Sequence, residues 1–387
     1  MDGTARVRWR FRADGVLTLG PVLGGAILVV AGADGMLHAL DAATGRERWR
    51  HAHDAPTSGI AFAGRHVLVE DSGDLWPHHA LTGQVDEDAF AGLGGRPIQV
   101  HGDVLLLQEG GMLSAADIPT ESTRFRAKTV VLEAPVAIAD NVIVAAGTFE
   151  GNSSGGGLHA FDASTGRPVW TFESDEDEEE DESEGGAEVL VPPFHPVAAH
   201  GRAWTTVVRA SGWDAKEEWC RSELAGFDLR TGETSFRQVI GPEDGEPCCA
   251  VAVFGDLLIA AAARPEQPAG YLTAFDTGPV QVVELTAVDV VREAVVWSRS
   301  LPDLPVGAPV VADGRVHILT RDGTVLACRA DTGETAWTFA ADEPPAASVE
   351  VEWGEGAREE PPRIAVGHGL VFVQTATGAL ALEPPEK

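Results

Sequence analysis

The sequence predicts an all-β protein, an eight-bladed β-propeller of four-stranded antiparallel blades, and three observations carry that reading. A phrase recurs along the chain: LHALDAATGRERW ends at Trp49, LHAFDASTGRPVW at Trp170, LAGFDLRTGETSF at Phe236 and VLACRADTGETAW at Trp337. Recurrence of this kind marks one supersecondary unit built many times. The 44 glycines and 24 prolines supply turns for many short strands, and no stretch sustains the three-and-four apolar spacing of a helix. The final unit lacks a fourth strand, while the opening segment has the character of one.

Within the phrase each residue has a local reason. An alternating apolar strand leads into an Asp or Thr whose side chain closes a turn, a Gly takes positive φ, and an aromatic stands on the returning strand. Aligned on this hairpin, eight units begin near Thr18, Thr57, Gly95, Pro135, Pro193, Pro247, Val306 and Pro362. Each reads as four strands, as in APVVADG, RVHILTR, TVLACRA and TAWTFAA of the seventh. Units of four short strands at this spacing are propeller blades. In the second unit His79 takes the place of the repeat Asp and Phe90 that of the aromatic. In the sixth, Asp276 is read as the repeat Asp, followed by an insertion reaching about Ala294.

The last unit runs RIAVGHG, LVFVQTA and GALALEP, without a fourth strand. Residues 5–12, with Trp9 in the aromatic position, are therefore expected to pair with residues 378–383, removing the open edges that invite aggregation. The whole chain, residues 1–387, reads as one propeller domain, with 1–14 as its closing strand and acidic inter-blade insertions at 174–191 and 341–361. The aromatic column of Trp9, Trp49, Trp170, Trp297 and Trp337, with Phe236, Phe90 and Phe125 standing in elsewhere, is expected to pack between neighbouring blades. The repeat carboxylates Asp41, Asp162 and Asp228 read as turn-closing groups.

Charge narrows the classes of partner. Sixty acidic residues against 28 basic ones give a net charge of -32, and such a surface repels phosphate backbones and anionic headgroups. Nucleic acid and membrane insertion are excluded on this reading, leaving protein or peptide partners that are basic or neutral. The opening MDGTARVRWRFRADG lacks a basic-then-apolar leader, so a cytoplasmic location is expected, or an extracytoplasmic one if a leader precedes it. Divergent repeats provide no sequence basis for a dimer, and a monomer is expected.

The pattern A-x-D-x-x-T-G-x-x-x-W, present as Ala39, Asp41, Thr44, Gly45 and Trp49 and again as Ala160, Asp162, Thr165, Gly166 and Trp170, resembles the repeat of the PQQ-like β-propeller superfamily. That superfamily contains quinoprotein alcohol dehydrogenases and the propeller lipoprotein of the outer-membrane barrel-assembly machinery. The resemblance covers essentially the whole chain. For the dehydrogenases it implies a quinone (PQQ) stacked on tryptophan, a calcium held by carboxylate and amide ligands, a catalytic Asp, and often a ring disulfide between adjacent cysteines. Cys248 and Cys249 are adjacent, yet they open the first strand of the sixth unit, where buried thiols serve as core residues. No calcium-ligand motif carries over position by position, so no cofactor and no catalytic residue is assigned.

Candidate partner-binding residues come from loops that break the repeat, since function tends to sit on variable loops of a rigid scaffold. The fifth-unit hairpin holds Trp213, Asp214, Lys216, Glu217, Glu218 and Trp219, and exposed tryptophan is a favoured interface anchor. The run from Asp175 to Glu184 begins Asp175, Glu176, Asp177, Glu178, Glu179 and Glu180, and reads by default as a solvated segment that offers a docking site to a basic partner. The second insertion contributes Trp353. Long turns in units four, five and six are expected to raise a wall on one face. Twelve histidines are scattered, of which His38 and His159 read as scaffold. His51, His53, His78 and His79 could bind a metal, but none of the usual ligand spacings accompanies them, and no metal is assigned.

Two functional readings result. The first is a non-catalytic scaffold presenting an acidic, tryptophan-bearing face to a protein or peptide. The alternative is an enzyme or small-ligand receptor using the central channel, for which the resemblance implies a quinoprotein-type oxidoreductase.

Overall fold

The computed structural model describes residues 3–128, 131–132, 136–148, 157–173, 187–190, 196–211, 220–266, 279–345 and 364–385. All regular structure among them is β-strand, grouped into eight small sheets that are antiparallel within each repeat. The fold is the eight-bladed β-propeller that the repeat predicts. Chain contacts divide it into two compact units.

The first unit, Met1–Ala127, Arg315–Cys328 and Glu334–Lys387, holds the sheets at the two ends of the chain. Its first sheet orders Leu17–Gly24, Ile27–Gly32, Met36–Asp41 and Glu47–Ala52, and the third orders Arg96–His101, Val104–Glu109, Met112–Asp117 and Ser122–Lys128. The eighth is completed as expected, by Arg6–Arg12 running antiparallel to Gly378–Glu383 with Arg6 opposite Glu383 and Arg12 opposite Gly378. Gly3–Thr4 adds a parallel edge to Thr335–Ala340 of the seventh sheet. Burial follows strand order within a sheet. Ile27–Gly32 is buried at every residue, whereas in RVRWRFR only Trp9 is fully buried and the arginines alternate outward.

The second sheet departs from the four-strand expectation. It has three strands, Ile60–Ala63, His66–Asp71 and Asp74–His79, and the fourth is replaced by turns. Phe90 still fills an aromatic role there, but from a left-handed turn residue (φ 54°), buried with the edge of its ring toward His66.

The second unit, Lys128–Gly314 with Arg329–Gly333, contains the fourth, fifth and sixth sheets. In each, two short strands pair with one long second strand; in the fifth, Ala187–Leu190 and Val197–Ala199 both pair with Arg202–Ser211. The sixth corrects the sequence reading. Its third strand is Val280–Asp289, paired with Leu257–Pro265 and with Ala294–Ser300, so the repeat aspartate is Asp289 rather than Asp276. Asp289 closes the turn by accepting the amides of Val291 and Arg292, and Glu293 at φ 55° occupies the glycine position. The repeat survives here as A-V-D-V-V-R-E-A-V-V-W, disguised by the loss of Thr-Gly.

A single device joins neighbouring sheets within each unit. The indole N–H of Trp9 donates to Ala42 O at 3.0 Å, Trp49 to Ala80 O at 2.9 Å, Trp170 to Leu229 O at 2.9 Å and Trp297 to Ala330 O at 3.0 Å. Each acceptor stands three residues before a turn glycine, Gly45, Gly83, Gly232 or Gly333, over which the indole lies. A Cβ on any of the four would meet the ring at 2.5–2.7 Å, and their φ of 69–75° is the left-handed region glycine favours. Trp and Gly thus recur together because one ring covers the other's bare backbone. The repeat Asp prepares the turn: Asp41 accepts the amide and hydroxyl of Thr44, and Asp162 those of Ser164 and Thr165. In the second sheet His79 stands in for it, its Nδ1 3.3 Å from the Thr82 hydroxyl.

Candidate functional site

Of the loop residues singled out in the sequence, Asp175 to Glu180, Trp213, Asp214, Glu217, Glu218, Trp219 and Trp353 lie outside the described residues. So do the tips of the long turns in units four to six. What is described is their anchorage. The fifth-sheet hairpin stays in register out to Ala210 opposite Cys220, leaving a connection of residues 212–219. The second acidic insertion starts from a fixed base, where Glu343 accepts the Thr377 hydroxyl at 3.0 Å and Arg10 meets Asp342 at 3.0 Å.

Cys248 and Cys249 are free thiols, 3% and 2% exposed, and lie between the short strands Glu246–Pro247 and Ala252–Phe254 of the sixth sheet rather than on its first strand. Burial pushes the Cys249 thiol up to about 12 and Cys248 well above its ordinary value, so both stay protonated. Side chains this enclosed have the character of core residues.

The structure instead assembles three histidines. His51 lies on Glu47–Ala52, the fourth strand of the first sheet; His53 follows that strand; and His78 lies on Asp74–His79, the third strand of the second sheet. Their ligand atoms all fall within 4.8 Å of one another. Ring centroids are 4.6 Å apart for His51 and His78, 4.9 Å for His51 and His53, and 5.2 Å for His53 and His78. Trp49 stacks on His78 at 5.7 Å with planes inclined by 16°, and the edge of Trp76 closes on His53.

The internal repeat shows how unusual these residues are. Two positions beyond the column aromatic, where His51 stands, three units carry Phe11, Phe172 and Phe339 and others Ala127, Gln238 and Arg299. Four positions beyond it, where His53 stands, they carry the buried Ala13, Ile240 and Leu301. In the place of His78, one before the repeat Asp, they bury Leu40, Phe161 and Phe227. The fourth and fifth sheets even keep the same ring pair in apolar form, Phe172 against Phe227 at 4.8 Å. Two core positions and a partly buried one beside them are imidazoles together.

Polar partners orient the rings. His78 Nδ1 is 3.2 Å from Gly83 O, an acceptor, so Nδ1 carries the hydrogen and Nε2 a lone pair. His53 Nδ1 faces the buried Asp71 carboxylate at 3.5 Å. Asp71 is held in turn by the Asp54 amide and the Ser72 hydroxyl. The Nε2 atoms of His53 and His78 lie 3.2 Å apart, within hydrogen-bonding distance, with the donor set by the tautomer of His53. Burial drives the imidazolium form of His78 down to about 4 and lowers that of His53 as well, with His51 adding to the effect and Asp71 opposing it for His53. Sequence reasoning passed over this cluster because the three histidines match no ligand spacing along one element. Aligning the units at core positions would have found it.

Comparison with known proteins places this geometry in a family. The sequence profile described as "Glucose/ethanol/alcohol dehydrogenase, beta-propeller domain" (PQQ) matches residues 10–208, just over half of the chain, and that described as "Outer membrane protein assembly factor BamB" (PQQ_2) matches residues 220–384. The chain is 29% identical over 91 residues to the outer membrane protein assembly factor BamB of Bordetella pertussis; the match spans 22% of this chain and 24% of that protein, about a quarter of its length. Among solved structures it is similar to BamB from Moraxella catarrhalis, with TM-score 0.59, 16% identity, and coverage of 98% of this chain and 100% of that one. It is also similar to the quinohemoprotein alcohol dehydrogenase from Comamonas testosteroni, with TM-score 0.58, 14% identity, and coverage of 99% and 78%. At these identities the structures establish the fold alone, and with the profile match over half the sequence they give one conclusion: the chain belongs to the PQQ-like β-propeller superfamily.

Proposed function

We propose that this protein is a non-catalytic propeller scaffold that binds a basic or neutral protein or peptide segment through its acidic, tryptophan-bearing loops. The observation that carries this reading is the division of labour in the repeat. The recurrent Trp, Gly and Asp residues hold sheets together and close turns, while the strongest departures from the repeat are loop insertions rich in carboxylates and tryptophan. A stiff scaffold that fixes several loops spares part of the ordering cost of binding. The net charge of -32 favours a cationic partner segment. Similarity to an assembly factor agrees with a scaffold role. No quinone, calcium or catalytic group is assigned on this reading.

The test compares the full chain with two variants, Trp213→Ala/Trp219→Ala and one carrying Ser and Gly in place of Asp175 to Glu180. Each is used to capture proteins from native extract by quantitative cross-linking mass spectrometry. The expected result is a basic protein captured by the parent and depleted at least about tenfold with both variants, their melting temperatures unchanged. Equal capture by all three forms, or a large loss of stability in the tryptophan variant, would sink the reading.

A further inference from the structure

We propose that His51, His53 and His78 form a binding site for a first-row divalent transition metal of the zinc type, with Asp71 as the carboxylate that orients His53 and water as the remaining ligand. The argument begins with lone pairs. The hydrogen bond to Gly83 O places the hydrogen of neutral His78 on Nδ1, and the Nε2 atoms of His78 and His53 are aimed at each other across 3.2 Å, a spacing that one hydrogen or one cation can bridge. In this enclosed site, where His78 is fully buried and His53 is 9% exposed, the Asp71 carboxylate beside His53 Nδ1 favours the tautomer that leaves both Nε2 atoms free for a cation. Zn–N bonds of about 2.0–2.1 Å in tetrahedral geometry set neighbouring ligand nitrogens about 3.3–3.4 Å apart, close to the separation found. The third imidazole, His51, lies within the same 4.8 Å cluster and is only partly buried, so the open position lies toward its side.

Ligand chemistry selects the metal class. Three neutral imidazoles suit Zn²⁺, Cu²⁺, Ni²⁺ or Co²⁺ and are poor hosts for Ca²⁺ or Mg²⁺, which take oxygen ligands. A carboxylate behind a ligating histidine is a recurrent second contact in such sites, fixing ring orientation and tautomer. Asp71 is itself fixed by the Asp54 amide and the Ser72 hydroxyl. The internal repeat supplies the independent control: sister units fill the place of His53 with residues such as Ala13, Ile240 and Leu301, that of His78 with residues such as Leu40, Phe161, Val288 and Cys328, and that of His51 with Phe, Ala127, Gln238 or Arg299, and they hold the fold without imidazoles.

The experiment uses the full chain, stripped with EDTA and returned to buffer containing excess Ca²⁺, which occupies the acidic loops without competing for imidazole. Zn²⁺ is titrated calorimetrically, and Co²⁺ is added separately to read the visible absorption of a tetrahedral nitrogen site. The parent should bind one Zn²⁺ per chain and develop that absorption. The variant His51→Phe/His78→Leu, carrying residues that sister units use, should lose both while keeping its β-sheet circular dichroism. Should it fail to fold, His53→Ala serves instead, since Ala13 takes that place in the closing strand's unit. Asp71→Asn should retain one site but weaken it about 10–100-fold. Absence of one-to-one binding by the parent, or unchanged binding in the histidine variants, overturns the site; unchanged affinity in Asp71→Asn overturns the positioning role.

Discussion

The indole N–H is the smallest unit on which this fold's regularity depends, and one tryptophan tests it by exception. Trp337 is fully buried and occupies the column position, yet its Nε1 has no hydrogen-bond partner among the described residues. The reason is topological. The other indoles reach a carbonyl just ahead of a Thr-Gly-type turn between third and fourth strands, but the eighth sheet has no such turn, because its fourth strand is Arg6–Arg12. Trp170→Phe should therefore remove a hydrogen bond and strand the Leu229 carbonyl, whereas Trp337→Phe removes an N–H that was already unsatisfied. The two substitutions shed the same ring area, so the difference between them isolates the bond. Trp170→Phe should be the more destabilising by about 1–3 kcal/mol in denaturant unfolding. Equal losses would show that the indoles act by packing alone. This pairing of Trp with Gly was legible in the sequence as a recurrence, but the acceptor was not, because a backbone carbonyl leaves no residue-type signature.

At the scale of the hairpin, turn carboxylates couple the sheets to pH. Asp162 is held down to about 2 by the hydroxyls of Ser164 and Thr165, then by their amides; Asp41 is lowered by the Thr44 hydroxyl and Arg48, Asp117 by Arg124 and the Thr120 hydroxyl, and Asp228 by the amides of Arg230 and Thr231. A carboxyl lowered in the folded state contributes stability that is complete above its unfolded value of 3.8 and is lost as pH falls through the folded value of about 2. Asp162→Asn keeps an acceptor but cannot titrate. Its melting temperature should lie below that of the parent at pH 5, with the gap closing between about pH 4 and pH 2. A gap constant across that window would mean that the charge contributes nothing. The same hairpins show where sequence reading succeeds and fails. Asp41 and Asp162 were recognisable because Thr and Gly follow at fixed offsets, while Asp289 was hidden by Arg292 and Glu293 in those places and by the better-matching LTAFDTG nearby. The strand pairing of Val280–Asp289 with Ala294–Ser300 overrules the motif. The histidine cluster was illegible for a related reason: it is built across two sheets, from positions whose meaning is set by the repeat rather than by spacing along the chain.

For the whole molecule, the eighth sheet is decisive, because it joins the two ends of the chain. Ile364–Gly367, Leu370–Gln374 and Gly378–Glu383 carry a buried apolar face, and Arg6–Arg12 covers the last strand, burying Trp9 against a cluster that includes Leu17, Leu28, Leu40, Phe372 and Ala381. Removing residues 1–14 takes away both a hydrogen-bonding partner strand and the Trp9 indole that donates to Ala42. Losing a buried tryptophan alone costs about 3–5 kcal/mol. The strand left behind, GALALE, is apolar, uncharged until Glu383, and then bare along one edge, which is the template for pairing with another chain. The truncated protein should therefore melt several degrees lower and form concentration-dependent oligomers by light scattering. Supplying residues 3–14 in trans as a peptide should restore the monomer, since Arg6 to Arg12 pair with Glu383 to Gly378 through backbone bonds that need no covalent link. A truncated form that stays monomeric with an unchanged melting point would show that the remaining sheets hold the fold without the closing strand. The alternating arginines Arg6, Arg8, Arg10 and Arg12 sharpen the test, for they turn outward along the closing strand and put positive charge on the edge of an otherwise acidic protein. Replacing them by serine in the full chain should leave the sheet closed but raise self-association, separating the protection given by charge from that given by pairing.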